Sequence, residues 1–396
     1  MKKNFFILGL MAIALNAVSC SSDDENNDNV VGPESNTMPE GTADVTINET
    51  DANYADYATN WCKYAVAVSS LLKDDAATLY KAWYEGLNGE EAYQTIFKEA
   101  KGAYTSPNSC IEQIIDGCID IANEVGESKI GDPRDKWENG KYTEAVYAVE
   151  SWYSYHSIQD YSNNIRSIRN AFNCTYNGTN GSHSIAAYLQ SHGQSELASQ
   201  VNAAINTAIA SIESMAAPFR SHIGNPSVLT AMEACNNLKT VLKTLKSKVE
   251  GFEDQTELKG IVADYVDVVV LPTYKDLADA NTALHAAVQI LAQNPSNETF
   301  ELAAMAWMTS RQPWEMSEAF LFGPVDKLGL DPNMDSWPLD QDAIKNVLAS
   351  GDFSGLDWQG EFDEENESIA DAQSIRGFHT LEFLLFKNGE PRKIGK

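Results

Sequence analysis

The stretch SIRGFHTLEFLLFKNG, residues 374–389, places a histidine and a glutamate three residues apart inside an apolar run. Residues at positions i and i+3 of a helix share a face, so the side chains of His379 and Glu382 should point the same way. Phenylalanine and leucine residues surround the axis of this predicted helix, which should therefore be buried. Burying an ionisable group is costly unless the group is paired or binds something. The stretch predicts a buried helix that carries either an internal His–Glu pair or a ligand site.

Apolar residues recur every three or four positions along most of the chain after about Asn53. Three such runs lie in residues 201–215, 229–249 and 277–291, and each is followed by a proline or a glycine. Residues 266–271 have the composition of a strand but lie inside a longer helical pattern, so we interpret them as helix. No glycine-rich phosphate loop, HExxH or GxSxG motif occurs. The sequence predicts an all-α protein made of bundles similar to four-helix bundles.

The first residues, MKKNFFILGLMAIALNAVSC, combine two lysines, a short apolar core and small residues before Cys20. The pattern is similar to a bacterial lipoprotein signal, in which the cysteine becomes the lipidated first residue. The alternatives are an ordinary signal peptide and a membrane anchor, although the apolar run is short for a membrane span. We expect residues 1–19 to be a signal peptide and residues 20–48 a polar tether. The protein is then a cell-envelope lipoprotein, on the periplasmic or the surface face of the membrane, anchored by lipid on Cys20.

Charge and length limit the partners and the number of domains. The chain of 396 residues has a formal net charge of −29, and without residues 1–19, which hold two lysines and no acid, the charge is 26 − 57 = −31. Such a charge excludes nucleic acid and anionic lipid as expected partners. The length after residue 19 suits two domains, and we predict one helical bundle in residues 49–255 and a second in residues 256–396.

Five cysteines follow Cys20, and no pair of them has a spacing typical of zinc sites. Because five is an odd number, at least one should be a free thiol or an intermolecular partner. The spacing does not reveal which of them pair: Cys62, Cys110, Cys118, Cys174 and Cys235.

A second polar segment is AMAWMTSRQPWEMSEAFLFGP, residues 304–324. If it is helical, Arg311, Glu315 and Glu318 fall on one stripe. The alternative is a simple i, i+4 ion pair between Arg311 and Glu315, which is worth only a few tenths of a kcal/mol, roughly.

A third segment is MDSWPLDQDAI, residues 334–344, in which Asp335 and Asp340 lie on either side of Trp337. Asp340 could contribute to a binding site. It is equally suited to be the N-cap of a following helix.

A fourth segment is VESWYSYHSIQDYSNNIRSI, residues 149–168. Read as one helix, it has a stripe that begins with Val149 and becomes polar at His156, Asp160 and Asn164. A stripe of this kind indicates a wet or ligand-lined interface between helices, and an exposed helix end would have the same pattern.

Together these segments resemble the imelysin family, from about residue 53 to the end of the chain. The GxHxxE motif of the family matches Gly377, His379 and Glu382. Supporting matches are the Arg311, Glu315 and Glu318-Ala319-Phe320 segment, the Asp335-Ser336-Trp337-Pro338-Leu339-Asp340 string, and the helix with His156, Ser157 and Asp160.

The order of the segments differs from that of typical imelysins, in which the GxHxxE block precedes the His-Ser-x-x-Asp helix. We therefore expect a circularly permuted chain with a linker near residues 251–262. In such a chain the His379 helix packs against the segments bearing Arg311 and Glu318, and its end near Gly389 lies close to Asn53.

The resemblance implies a metal-binding protein of the cell envelope that takes part in iron uptake together with other envelope proteins. The expected ion is iron, bound alone or as a complex, and zinc and copper remain alternatives. The expected metal ligands are His379, Glu382, Glu318 and Glu315. Further residues of the site are expected to be Arg311, Asp340, His156, Ser157, Asp160 and Gly377.

Two other functions stay open at this point. Imelysins were classed as metallopeptidases, but HxxE supplies at most two of the three ligands that a zinc hydrolase typically needs, and Glu382 cannot readily be both ligand and base. The third possibility is an interaction lipoprotein whose polar network only fixes a domain interface.

Overall fold

Helices provide almost all the regular structure in the computed structural model, which describes residues 52–358 and 360–395. Two short antiparallel hairpins supply the strands of these residues. The prediction of an all-α protein is confirmed. Residues 266–271 are helical as predicted, because a π-helical segment, Tyr265–Val270, joins two α-helices without a break.

The first helices are α1 (Ala58–Tyr84), α2 (Tyr93–Lys98), α3 (Pro107–Asn123), α4 (Gly131–Glu138), α5 (Tyr142–Ala148), α6 (Ser157–Asn173), α7 (Ile185–Ser191), α8 (Ser195–Glu213) and α9 (Pro226–Val249). The remaining helices are α10 (Gln255–Asp264), α11 (Leu271–Gln293), α12 (Asn297–Glu315), α13 (Pro324–Lys327), α14 (Leu330–Asp335), α15 (Gln341–Ser350), α16 (Glu367–Gln373) and α17 (Gly377–Leu385). A second π-helical segment is Glu124–Lys129, and 3₁₀ turns lie at Tyr54–Asp56, Phe219–Ser221, Glu318–Phe320 and Ser354–Leu356. The strands are β1 (Thr175–Tyr176) with β2 (Thr179–Asn180), and β3 (Phe386–Lys387) with β4 (Glu390–Pro391).

Capping side chains mark the starts of two of the long helices, α3 and α12. Ser106 begins α3 and Ser296 begins α12, and in both cases the capping side chain and the third helical residue exchange hydrogen bonds with backbone N–H groups. The apolar stripes predicted for α8, α9 and α11 are buried along most of their length. Leu229 is an exception, because it is 39% exposed near the start of α9.

The helices pack in two groups. In one group α1 lies against α11, α11 against α12, and α17 against both α1 and α12. In the other, α9 packs on α3 and α8, and α6 packs on α8 and α3. Contacts of α6 with α12, and of α3 with the turn Glu318–Phe320, join the groups. A Cβ atom on Gly117 of α3 would lie 2.1 Å from the carbonyl oxygen of Ala319, so this close approach requires glycine.

Helix α1 belongs to the first of the two predicted domains, residues 49–255. It packs on α11, which belongs to the second. The described residues belong to one compact unit. The division into two domains at residue 255 therefore stays a prediction.

The geometry agrees with part of one expectation of a permuted chain and with a second expectation. Helix α17 packs on α12, which carries Arg311. The segment after α17 returns to Asn53, whose side-chain oxygen accepts a hydrogen bond of 3.0 Å from Lys387. Helix α10 occupies most of residues 251–262, where the linker is expected. The permutation itself stays a prediction.

The five cysteines of the described residues are free thiols, and all are buried. Burial raises the pKa of Cys62 to about 11 and the pKa values of Cys110, Cys174 and Cys235 to about 12. At neutral pH these thiols are therefore protonated and unreactive.

The predicted signal peptide, the tether and the lipidated Cys20 lie outside the described residues. Within residues 52–358 and 360–395, no helix is both long and apolar enough to cross a membrane.

Candidate functional site

The site begins where α17 meets the end of α14. Gly377, the first residue of α17, has φ +83°, and a Cβ atom there would lie 2.5 Å from the carbonyl oxygen of Met334. Any other residue would be strained at this φ and would push the helices apart. The glycine of the GxHxxE motif thus has a steric role, since it lets His379 approach Asp335.

His379 makes polar contacts through both ring nitrogens. Its Nδ1 lies 3.0 Å from Oε2 of Glu382, one helical turn further on. Its Nε2 lies 3.1 Å from Oδ1 of Asp335 and 3.3 Å from Oε1 of Glu150. The imidazole is 0% exposed. The histidine therefore connects three carboxylates in the protein interior.

Both oxygens of the Glu382 carboxylate make polar contacts. Its Oε1 accepts hydrogen bonds of 2.8 Å from the backbone N–H and 2.7 Å from the hydroxyl of Ser154, while Oε2 faces His379. This arrangement fixes the orientation of the imidazole and directs Nε2 towards Glu150 and Asp335. Carboxylate-oriented histidines of this kind are common among metal ligands.

Arg311 lies at the centre of the same group of side chains. Its Nη2 is 2.8 Å from Glu150 Oε1 and 2.6 Å from Glu315 Oε1, and its Nη1 pairs with Asp335. Its Nε is 3.6 Å from Asp160. The i, i+4 pair of Arg311 with Glu315 exists, but it is one of four ion pairs of the arginine and is fully buried.

Lys129 supplies a second buried cation. It ends the π-helical segment after α3, and its Nζ lies 3.2 Å from Glu150 and 3.4 Å from Glu318. Its side chain is 9% exposed. We use the name chamber for the buried group formed by Lys129, Glu150, Asp160, Arg311, Glu315, Glu318, Asp335, His379 and Glu382.

The segment before α6 closes the chamber. His156 Nδ1 lies 2.7 Å from Asp160 Oδ1, and the Ser151 hydroxyl donates to Asp160 Oδ2 at 2.5 Å. Ser157 donates to the backbone carbonyl of Glu150 at 2.5 Å. The chamber thus receives residues from α6, α12, α14, α17 and the connections before α4 and α6.

The charges of the chamber are unequal, since its six carboxylates face only two permanently charged cations. Burial alone raises carboxyl pKa values, and it holds those of Glu315 and Glu318 well above their ordinary value. Burial acts on Glu150 and Asp335 as well, but Lys129 lowers the pKa of Glu150 and Arg311 that of Asp335. The two carboxylates that face His379 Nε2 are therefore ionised.

The pKa of His379 is raised well above its ordinary value. Burial and Arg311 act to lower it, but Asp335 and the hydrogen bond to Glu150 outweigh them. An ion that binds Nε2 would have to replace this proton.

Three donor atoms have the spacing of a metal site. Ligand atoms about 2.0–2.2 Å from one ion lie roughly 3.0–3.5 Å from each other. Nε2 of His379 has this distance to Glu150 Oε1 (3.3 Å) and to Asp335 Oδ1 (3.1 Å). Glu150, Asp335 and His379 therefore form a candidate cation site, with Glu382 orienting the histidine. Arg311 pairs with the same two carboxylate oxygens, and its Nη2 lies 3.4 Å from Nε2 of His379.

The structure brings together most residues that the sequence singled out. His379, Glu382, Glu315, Glu318, Arg311 and Asp160 lie in the chamber, His156 and Ser157 border it, and Gly377 shapes it. Asp340 does not belong to it, because this exposed residue caps α15 by accepting a hydrogen bond from Ala343 N–H.

Two of the predicted helical stripes are wrong in detail. Helix α6 begins at Ser157, and residues 149–156 form turns with positive φ at Ser151 and Tyr155. Helix α12 ends at Glu315, so that Glu318 lies in a separate 3₁₀ turn. In both cases the chain turns where the periodicity suggested a continuous helix.

The sequence reasoning missed Glu150, Asp335 and Lys129 as site residues. Glu150 lies in the segment 149–168 and Asp335 in the segment 334–344, and each is close to residues that were predicted to belong to the site. A buried lysine has no signal in the periodicity, because its position depends on the π-helical segment.

The fold and the chamber define a class: all-α proteins with a buried carboxylate–histidine–arginine cluster where two groups of helices meet. Comparison with known proteins places the chain within that class. The Imelysin family model, peptidase M75, matches residues 39–245 and 270–395, and the chain belongs to this family.

Two relatives are informative. A crystal structure described as an imelysin peptidase from Bacteroides ovatus is 48% identical in sequence, with a TM-score of 0.84, and the match covers 87% of this chain and 99% of that one. Iron-regulated protein A from Synechococcus elongatus is 32% identical over 169 residues, which are 43% of this chain. That match spans 39% of the relative's length.

Proposed function

We propose that this protein binds a divalent cation, iron foremost, in the chamber and serves iron uptake in the cell envelope. Nε2 of His379 and one oxygen each of Glu150 and Asp335 hold the ion. The observation that carries the proposal is the spacing of these three atoms, together with the anchoring of His379 Nδ1 by Glu382.

The donor set supports iron. One imidazole with two carboxylate oxygens suits a borderline or hard cation, whereas a site for a soft ion would present thiolates or thioethers. The name of the cyanobacterial relative, iron-regulated protein A, supports the same ion. Zinc and copper are the competitors that a binding measurement has to compare.

The excess of negative charge in the chamber is a second argument for a bound divalent cation. Six carboxylates with two permanent cations leave a net negative interior, which protons on Glu315, Glu318 and His379 reduce. A divalent cation would reduce it further, and it would share the oxygens of Glu150 and Asp335 with Arg311, because a carboxylate oxygen can accept from arginine and bind an ion at the same time.

Burial favours a small ion over a polypeptide. His379, Glu382 and Glu315 are 0% exposed, so a peptide bond cannot reach the imidazole in this arrangement. Glu382 is also held by Ser154 and His379, which leaves it poorly placed to act as a general base. For this reason we favour binding over the peptidase activity named for the Bacteroides ovatus relative.

The direct test is metal analysis of the purified protein, followed by anaerobic titration with Fe²⁺ and parallel titrations with Zn²⁺ and Cu²⁺. We expect one ion per chain, bound with displacement of a proton. A protein that takes up none of the three ions would leave the purely structural role as the explanation of the chamber.

We also propose that the protein is anchored in the envelope by lipid on Cys20. Replacing this residue (Cys20→Ala) should move the protein from the membrane fraction to the soluble fraction, because a lipid chain is the expected source of membrane affinity. Fractionation of cells that express each form measures the effect. Equal membrane association of both forms would contradict the proposal.

We further propose that the chain is a circular permutant of the usual imelysin order. The nearness of its described ends supports this, since Arg392 donates a hydrogen bond of 3.0 Å to the carbonyl of Ala52. A chain opened between Gly251 and Phe252, with residue 392 joined by a short linker to residue 53, should therefore fold with the same helical content and unfold cooperatively. Circular dichroism and urea unfolding check this, and an unfolded re-ordered chain would speak against it.

A further inference from the structure

Trp337 separates His379 from a surface cavity. The two rings meet at an angle of 62° with centroids 4.9 Å apart. The other side of Trp337 lines a cavity of about 460 Å³, together with Tyr147, Trp152, Leu339 and polar neighbours. Trp337, which is partly buried, therefore contacts both this cavity and the proposed ligand.

Trp337 is suited to move. It lies in the connection between α14 and α15, so rotation about its side-chain bonds displaces the ring without moving a helix. Its indole N–H donates to the carbonyl of Ala148 over 3.3 Å, which is long for a hydrogen bond. The residue is only partly buried against the core.

The rim of the cavity carries negative charge. Asp340 and Asp342 line it, and no lysine or arginine is among its lining residues. One oxygen of Asp340 is used in capping α15, while Asp342 is exposed. A rim of this charge raises the local concentration of cations and repels anionic metal complexes.

A second groove of about 610 Å³ approaches the chamber at His156, but its position suits access less well. Arg166 lines this groove, and behind His156 lie Asp160 and Arg311 rather than the proposed ligands.

We propose that the cavity beside Trp337 is the port of the chamber and that Trp337 is its lid. The port admits small hydrated cations and excludes anionic chelates. The identity of the ion that enters through this port rests on the proposed function. The port itself is tested without any metal.

The test uses the full chain with Cys20→Ala and with His379→Cys as a reporter inside the chamber. The native thiols give a slow background, because they are buried and protonated. Labelling rates are measured with a cationic and an anionic methanethiosulfonate of similar size. Ser154→Cys serves as the reporter if His379→Cys does not fold, since Ser154 contacts Glu382 and the replacement is nearly isosteric.

Trp337→Ala should raise the rate with the cationic reagent at least about ten-fold, and Trp337→Phe by a smaller factor, because each makes the lid smaller. Asp342→Asn should lower the ratio of cationic to anionic labelling. The matched control Glu361→Gln, an exposed acid beside a different cavity, should leave the ratio unchanged.

Two results would overturn the port. One is a labelling rate that does not respond to Trp337→Ala. The other is a rate that falls when the second groove is filled by Met308→Trp. If labelling follows the expected pattern but wild-type protein binds no cation, the port stands and the proposed function fails.

Discussion

Replacing His379 with alanine should lower the affinity for Fe²⁺ by more than about 100-fold, beyond the 10- to 100-fold typical of losing an orienting partner. The variant loses one of three donor atoms and the only nitrogen among them. The stabilisation of the protein by the ion should vanish with the binding. In the wild type, an ion at 100 times its Kd adds about 2.7 kcal/mol to the free energy of unfolding. Thermal unfolding of both forms with and without Fe²⁺ measures this difference.

The matched control is Glu382→Gln, which keeps the shape of the side chain but weakens its hold on Nδ1 of His379. Its affinity should fall about 10- to 100-fold, because it orients a ligand without being one. Alanine at residue 379 also removes a buried partner of Asp335 and Glu150, so the variant without metal should melt at a lower temperature. A destabilised His379→Ala protein with unaltered affinity would end the binding hypothesis.

Replacing Arg311 with methionine should destabilise the protein by about 3–5 kcal/mol, the cost of removing one partner from a buried ion pair. Four buried carboxylates would lose their ion pair with this permanently charged cation. Arg311→Lys should recover little of the loss, because an ammonium cannot bond several carboxylates in the planar geometry of a guanidinium. Urea unfolding near neutral pH measures these free energies.

Arg166→Met is the matched control for this prediction. Arg166 pairs with Glu213, but its side chain is 23% exposed and that of the glutamate 47%. The cost should be at most about 1 kcal/mol, since solvent weakens a pair of this kind. Similar losses for the two variants would show that the chamber carboxylates take up protons readily and do not depend on Arg311.

The helical fold was predictable because it depends on periodicity. The stripes of α8, α9 and α11 are long, regular and bounded by prolines or glycines, so local sequence determines them. The same reasoning located the His379 helix, whose apolar residues face every direction and imply burial. The family resemblance then indicated which polar residues belong together.

The contacts of the site were less predictable because turns decide them. Glu150 enters the chamber from a segment with positive φ at Ser151 and Tyr155, and the periodicity suggested a helix there. Asp335 was visible in the sequence, but its role depends on the close approach at Gly377. Both are long-range consequences of packing, which spacing along the chain does not encode.

The π-helical segment Glu124–Lys129 determines the angular phase of Lys129. A wide turn holds one more residue than an α-helical turn and shifts the residues that follow it by about 100° relative to an uninterrupted helix. Lys129 is the last residue of this segment, so its direction is set within the wide turn. Up to Val125 the buried face of this helix consists of isoleucines, cysteines and small residues. The phase shift lets one continuous helix pack an apolar surface against its neighbours and then direct the Lys129 ammonium into the chamber. The position of the Lys129 charge in the chamber is thus set by helical pitch as well as by the identity of the residue.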